Sequence, residues 1–207
     1  MKKHNFALTV AIISVLGVSV SFCAQRPDKN AYGPAARAAA REMRISRMKT
    51  ILLELVRQDE YLDGAIETLD SPNAGLTPAD IAALNRNLGL IKKNMDTAAN
   101  LSKAQLTEIR AGSNLVPYTK AILVYSAKMD AKAARVALLA GKLSEKNKKA
   151  AMRDAVSAKK SGSGGKTITR ILEEQQALKK LSSGASGLKA SSARLAATGK
   201  WLYIASK

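Results

Sequence analysis

The sequence predicts an all-α protein, specifically an elongated antiparallel four-helix bundle of coiled-coil-like helical hairpins that follows an N-terminal signal segment. Aromatic residues make up only 4% of the 207 residues, and Val and Ile occur singly rather than in runs, which favours helices over strands. From Pro34 onward, apolar residues alternate spacings of three and four, the period of a helix that buries one face. We therefore divide the chain into a signal segment (1–24), a linker (25–33) and a helical bundle domain (34–207).

The first segment is interpreted as a secretory signal. Lys2 and Lys3 precede the apolar run "FALTVAIISVLGVSVSFCA", the order of charge and hydrophobicity found in signal peptides. The run approaches the roughly 20 residues needed to span a bilayer, so an uncleaved membrane tether is the alternative to cleavage near "SVS" at 19–21. Either alternative places the protein outside the cytoplasm, in the periplasm or envelope or secreted.

Cys23, the only cysteine, is a candidate lipidation site. "VSFC" resembles the lipobox of bacterial lipoproteins, although Phe22 stands where such boxes carry a small residue. The alternative is that Cys23 is an ordinary apolar residue of a discarded leader. In both cases no second cysteine is present, so no intramolecular disulfide forms and packing must stabilise the domain.

The first two predicted helices are joined by a turn. "SPNAG" at 71–75 ends the first helix, and "TPAD" at 77–80 begins the second with a Thr cap, Pro at the first helical position and an acidic residue three positions after the cap. The second helix is expected to continue through Ile109. The predicted seam residues are Ile45, Met48, Leu52, Leu55, Asp59, Leu62, Ile66 and Leu69 in the first helix, and Ile81, Leu84, Leu88, Ile91, Met95 and Ala98 in the second.

The third and fourth predicted helices are separated by a Gly/Ser stretch. Gly141 and Ser144 predict a kink or restart in the third helix, and the fourth is expected to begin at about Thr167. The small residues of 182–199 predict a thin, closely packed seam, or alternatively a surface for a partner helix. The predicted seam residues are Tyr118, Ile122, Tyr125, Met129, Val136, Leu139 and Leu143 in the third helix, and Ile171, Leu178, Leu181, Ala185, Leu188, Leu195 and Leu202 in the fourth.

A row of carboxylates, Asp59, Asp63 and Glu67, recurs every four residues along the first helix. We expect these carboxylates to pair across an antiparallel hairpin with basic residues of the second helix. A calcium site would instead require a flexible loop that supplies many oxygens. The expected partners are Arg86, Lys92 and Lys93.

Motifs for catalysis and cofactor binding are incomplete. In "SGSGGKTITR" at 161–170, Lys160 stands where a phosphate-binding loop requires its first glycine, and no strand is expected before it. "SRMK", with Ser46 and Lys49, fits the Ser-x-x-Lys pattern of penicillin-binding enzymes without their Lys-Thr-Gly strand. His4, the only histidine, lies in the predicted leader. We therefore expect no cofactor and no metal, and a protein that is not an enzyme.

Charge is the strongest functional signal. The formal net charge is +18; residues 26–116 contain 13 basic and 11 acidic side chains, whereas 117–207 contain 19 and 5. Such an excess suits anionic polymers or membrane headgroups, and the alternative is a solvated helical face. The candidate anion-binding residues are Lys142, Lys146, Lys148, Lys149, Arg153, Lys159, Lys160 and Lys166.

These observations predict an exported, non-enzymatic structural or interaction protein of the bacterial cell envelope. Its expected partners are an unidentified protein or an anionic envelope polymer, with a membrane tether through the N-terminus and homo-oligomerisation as further options. Nucleic-acid binding through phosphates is an alternative that export argues against. A hydrolase that uses Ser46 and Lys49 is the remaining alternative.

Overall fold

The structure is a computed structural model that describes residues 33–71, 76–109, 114–160 and 164–207, with side chains in the last range from residue 168 onward. The described residues form α-helices without any β-strand, and the helices pack against one another as a bundle, so the all-α prediction is confirmed. The helices are α1 (Pro34–Asp70), α2 (Pro78–Leu106), α3 (Val116–Lys160) and α4 (Gly164–Ala205).

The start of α2 confirms the capping motif expected from "TPAD". The Thr77 Oγ1 accepts a hydrogen bond from the Asp80 backbone N–H at 3.2 Å, and Asp80 Oδ2 accepts one from the Thr77 backbone N–H at 2.9 Å. The side chain and backbone of Thr77 both donate hydrogen bonds to the Asp80 carboxylate. The pKa of Asp80 therefore lies below its ordinary value. This reciprocal bonding satisfies N–H groups that the helix itself leaves unpaired.

Two antiparallel hairpins, α1–α2 and α3–α4, build the bundle. In the second hairpin, Thr119 Oγ1 at the start of α3 is 2.6 Å from Ser206 Oγ just beyond the end of α4, and Ser192 Oγ donates to Asp130 Oδ1 at 3.0 Å. Residue numbers thus rise along α3 as they fall along the facing α4. The contact between α3 and α4 is the most extensive in the molecule.

The two hairpins lie side by side with helices of the same direction adjacent. Thus α1 packs against α3 and α2 packs against α4, whereas α1 lies diagonally opposite α4. Between α2 and α4, Arg194 donates to Asp96 Oδ1 at 2.8 Å. Partial burial of Asp96 opposes ionisation, but hydrogen bonds from Lys92, Ser191 and Arg194 outweigh it and lower the pKa of this carboxyl.

The core follows the predicted seams closely in α2 and α4, but in α1 three seam positions are each shifted by one residue, so that the buried face is slightly rotated. Met48, Leu55, Leu62 and Leu69 are buried as expected, whereas Gln58 rather than Asp59 occupies the intervening core position. The predicted positions Leu52 and Ile66 are likewise only partly buried, and Ile51 and Ala65 replace them in the core. The rotation places Asp59 at the edge of the seam, where it can reach cations of a neighbouring helix.

Two predicted boundaries also differ. The helix does not restart at Gly141 or Ser144, because α3 is continuous through both residues. A single helical glycine costs only about 1 kcal/mol relative to alanine, which neighbouring turns tolerate. The fourth helix begins at Gly164, slightly before the expected Thr167. The second ends at Leu106, before Ile109, although Ile109 is still buried against the core.

The small residues of α4 lie against neighbouring helices. A Cβ atom added to Gly199 would lie 3.0 Å from Ser126 Oγ and 3.5 Å from Leu123 Cα of α3. Ser191 and Ser192 are fully buried. Here glycine and serine permit the close helix approach expected from the thin-seam interpretation.

The helices differ in length, and this difference creates a projecting segment. Arg135 of α3 pairs with Asp70, the last residue of α1, so α3 continues beyond α1 together with the facing part of α4. We name residues 142–160 of α3 and 164–176 of α4 the distal arm, and the rest of the four-helix packing the lower bundle. Among the described side chains of the distal arm, only Ala158 is buried.

Candidate anion-binding site

Basic side chains of α3 recur at seven-residue spacing and therefore lie along one side of the helix. One series occupies every seventh position from Lys128 to Lys149. The other occupies every seventh position from Lys132 to Lys160, with apolar Leu139 as its one interruption. We name these residues the basic row. Its members are Lys128, Lys132, Arg135, Lys142, Lys146, Lys149, Arg153 and Lys160.

The lower end of the basic row is neutralised by α1. Lys132 Nζ lies 2.7 Å from both Asp59 Oδ1 and Asp63 Oδ2, and Lys128 Nζ lies 3.7 Å from Asp59 Oδ2. Burial disfavours the charged ammonium of Lys132. Its hydrogen bonds to the two carboxylates and their electrostatic attraction outweigh burial, so the pKa of Lys132 is raised. Arg135 completes the ladder with Asp70 at 2.9 Å.

This ladder corrects the expected pairing of the α1 carboxylates. Asp59 and Asp63 do form cross-helix ion pairs, but with α3 rather than with Arg86, Lys92 and Lys93 of α2. Within the described residues, Lys92 instead pairs with Asp96 on its own helix at 3.0 Å. The reason is topological. The contact of α1 with α3 is more extensive than its contact with α2, and the carboxylates of α1 lie on the side that faces α3.

The upper end of the basic row has no such partner among the described residues. No ion pair joins these side chains to any carboxylate in the parts of the chain that the structure describes. All are exposed to solvent. Their charge therefore remains available to a ligand. The residues are Lys142, Lys146, Lys149, Arg153 and Lys160.

The structure divides the remaining candidates by position. Lys148 and Lys159 are exposed on the distal arm but fall outside the seven-residue series of the basic row. Lys166 lies in the first turn of α4, and its side chain is outside the described part. Sequence reasoning located the cluster but missed Lys128, Lys132 and Arg135, which the seven-residue spacing would have connected to it.

A shallow groove of about 610 Å³ runs along α3 beside the upper basic row. Lys142, Lys146 and Lys149 line one part of it together with the acidic Glu145, which leaves an excess of positive charge. Ala137, Leu138 and Gly141 add apolar surface. Leu138 is 50% exposed, and a Cβ atom added to Gly141 would meet nothing within 4 Å. Cationic side chains and open apolar surface thus lie next to each other on α3.

Apolar side chains are also exposed on the distal arm itself. Met152 and Val156 of α3 are 61% and 58% exposed, and Leu172 of α4 is 57% exposed. No described helix is both long enough and apolar enough to cross a bilayer. The predicted signal segment and the candidate lipidation residue Cys23 lie outside the described residues.

The described residues of the motifs considered for catalysis are not arranged as a catalytic site. Ser46 and Lys49 are both exposed on α1, and the described structure contains no hydrogen bond between their side chains. "SGSGGKTITR" follows the helix α3 rather than the strand that a phosphate-binding loop requires. Among described residues, no group of three or more His, Cys, Asp or Glu side chains is arranged to hold a metal ion.

Comparisons with protein families, with curated proteins and with solved structures found no match to this chain.

Proposed function

We propose that the protein is an exported, non-enzymatic structural or interaction protein of the bacterial cell envelope. Its distal arm contacts anionic envelope polymers, membrane headgroups or an acidic protein partner. The observation that supports this proposal is the contrast along one helix. Carboxylates of α1 neutralise Lys132 and Arg135, whereas Lys146 and Arg153 are exposed without a described ion-pair partner.

The charge on the distal arm favours anionic ligands by simple electrostatics. Exposed cations attract phosphate, sulfate or carboxylate groups over about one Debye length, roughly 8 Å at physiological ionic strength. Several cations on one helix attract a polyanion more strongly than a single cation does. The predicted signal segment supports export, which brings such a surface to envelope polymers and lipid headgroups.

Two measurements test this proposal. The full-length gene is expressed in a Gram-negative host, and the mass and fractionation of the product are determined. Recovery in the periplasm or envelope supports export, whereas recovery of unprocessed chain in the cytoplasm contradicts it.

The purified protein is then mixed with polyphosphate and with vesicles that contain phosphatidylglycerol, at low and at high salt. We expect binding that weakens by about tenfold or more between about 50 and 200 mM salt. Absence of binding, or binding that salt does not change, contradicts the proposed role of the distal arm.

A further inference from the structure

The lower part of α3 shows how this helix binds a neighbouring helix of the same direction. Asp59 and Asp63 are four residues apart, so both carboxylates lie on one side of α1. Lys132 bridges them, with 2.7 Å to one oxygen of each. Apolar residues of α1 fill the space below this ladder, including Leu55 and Leu62, which are fully buried.

Above the end of α1, the basic row of α3 continues beside the exposed side chain of Leu138, which lies on the opposite side of the row from the residues that α1 covers. Lys142, Lys146 and Lys149 continue the basic row at spacings of four and three, and they border the groove that Leu138 and Gly141 also line. Glu145 is the one acidic side chain in this lining, so the groove keeps a net positive charge. Because Gly141 has no side chain and nothing lies within 4 Å of its Cβ direction, a second backbone can approach α3 closely there.

We propose that this groove binds an acidic amphipathic helix of a partner protein. Carboxylates spaced four or seven residues apart on the partner pair with Lys142, Lys146 and Lys149, as Asp59 and Asp63 pair with Lys132. An apolar side chain of the partner packs on Leu138 and covers Gly141. The proposal rests on the proposed function, since it specifies which of the anionic partners the distal arm binds.

The surface favours a helix over a flexible polyanion for two reasons. The cations recur at helical spacing, so a helix with matching spacing meets all of them without bending. The groove also contains apolar surface that a polyphosphate or sulfated sugar cannot cover favourably.

The probe is a synthetic helical peptide of about 20 residues, or about 30 Å, with glutamates spaced four and seven residues apart on one side and leucines beside them. One control peptide carries glutamine in place of every glutamate. Another keeps the glutamates but contains two prolines, which prevent a continuous helix. Binding of each to the full-length protein is measured by fluorescence anisotropy, with polyphosphate and phosphatidylglycerol vesicles in parallel.

Three variants separate the contributions of charge and shape. Neutralising the groove lysines should weaken binding of the helical acidic peptide by about tenfold or more. Neutralising three exposed lysines far from the groove should change binding less than about twofold. Gly141→Leu places a side chain in the groove and should weaken helix binding by about tenfold, without weakening binding of polyphosphate. The multiple variants are Lys142→Gln/Lys146→Gln/Lys149→Gln and the matched control Lys120→Gln/Lys180→Gln/Lys200→Gln.

Preferential binding of the helical acidic peptide, lost in Gly141→Leu, supports the proposal. Equal binding of the helical and the proline-containing peptides overturns the helix proposal. Tighter binding of polyphosphate or vesicles, with no effect of Gly141→Leu, also overturns it. Both outcomes leave the proposed function in place. If the protein self-associates and the peptide does not compete with that self-association, the helix proposal is overturned in favour of a second copy of the chain. Failure of every anionic probe to bind overturns both the helix proposal and the proposed role of the distal arm. Circular dichroism confirms that each variant remains helical.

Discussion

The lower bundle and the distal arm share α3 and α4, yet they bury very different side chains. In the lower bundle Met129, Leu188 and Leu195 are completely buried, whereas in the distal arm Met152 and Leu172 are 61% and 57% exposed. The change coincides with the end of α1. Continuous helix therefore does not imply continuous core, since a helical face is buried only where a neighbour covers it.

Charge shows the same contrast. Lys132 in the lower bundle is held between two carboxylates, whereas Lys146, two heptads further along α3, has no described ion-pair partner. The lower bundle therefore uses its cations to join the hairpins, and the distal arm presents its cations to solvent. Five tests can break or sharpen this comparison.

The largest expected effect comes from truncating a core leucine. Leu188→Ala should lower the free energy of unfolding by about 2–5 kcal/mol, because it removes buried methyl groups and leaves a cavity. Leu172→Ala on the distal arm should change it by less than about 0.5 kcal/mol. Urea unfolding followed by circular dichroism measures both. Equal losses would mean that the distal arm is covered as well as the lower bundle is.

Substitutions at two glycines, one packed against a neighbouring helix and one beside the groove at the base of the distal arm, should change stability with opposite signs. Gly199→Leu should destabilise the protein by about 1–3 kcal/mol, because Ser126 and Leu123 leave no room for the new side chain. Gly141→Ala should stabilise it by about 0.5–1 kcal/mol, since alanine is the better helix former and the added methyl meets open space. Thermal unfolding checks the signs; a destabilised Gly141→Ala would contradict the open groove.

Removal of the central cation of the ladder is the third test. Lys132→Gln should lower the free energy of unfolding by about 1–2 kcal/mol near neutral pH. The Asp59 side chain is only 14% exposed, and after the substitution Lys128 is the one described cation that remains close to it. Urea midpoints of the variant and the parent protein measure this difference. A midpoint unchanged by Lys132→Gln would mean that the ladder adds nothing to the packing of α1 on α3.

The same ladder should affect stability at alkaline pH. The pKa of Lys132 is raised above its ordinary value of 10.5 by its carboxylates. Its contribution is therefore complete below pH 10.5 and lost as the pH rises through the raised value. The difference between the parent protein and Lys132→Gln should thus shrink only above pH 10.5. Lys120→Gln, an exposed control, should show no comparable difference.

The smallest expected effect is neutralisation of a cation on the distal arm. Lys146→Gln should change the free energy of unfolding by less than about 0.5 kcal/mol, because the exposed ammonium has no described carboxylate to lose. Urea unfolding beside Lys132→Gln provides the comparison on one helix. A loss as large as that of Lys132→Gln would indicate a carboxylate partner for Lys146.

Much of the fold could be predicted because helix periodicity is local. The predicted seam of α2 is buried throughout, from Ile81 to Ala98, and the capping box at Thr77 lies where the sequence indicates. In α1, by contrast, Leu52 and Ile51 are both apolar, so spacing alone did not decide which of them faces the core. The same ambiguity placed Asp59 in the predicted seam, although Gln58 is the buried residue.

The candidate site was predictable as a charge cluster but not as a surface. Lys142, Lys146 and Lys149 stood out because few acidic residues surround them in the chain. Their alignment with Lys132 and Arg135 follows from a continuous α3, which the predicted kink at Gly141 obscured. The lower members of the basic row form described ion pairs with α1, and the upper members do not. This difference depends on where α1 ends relative to α3.

The amino-acid sequence by itself determined the helices, most of their buried faces and the concentration of positive charge in the second half, because periodicity, capping and composition act over a few turns of one chain segment. Only the tertiary structure decided that α1 lies beside α3, that Asp59 and Asp63 neutralise Lys132, and that α3 and α4 continue beyond their neighbours. Those outcomes depend on how two hairpins pack together. Packing sums many weak contacts between residues far apart in the chain, and no local pattern specifies that sum.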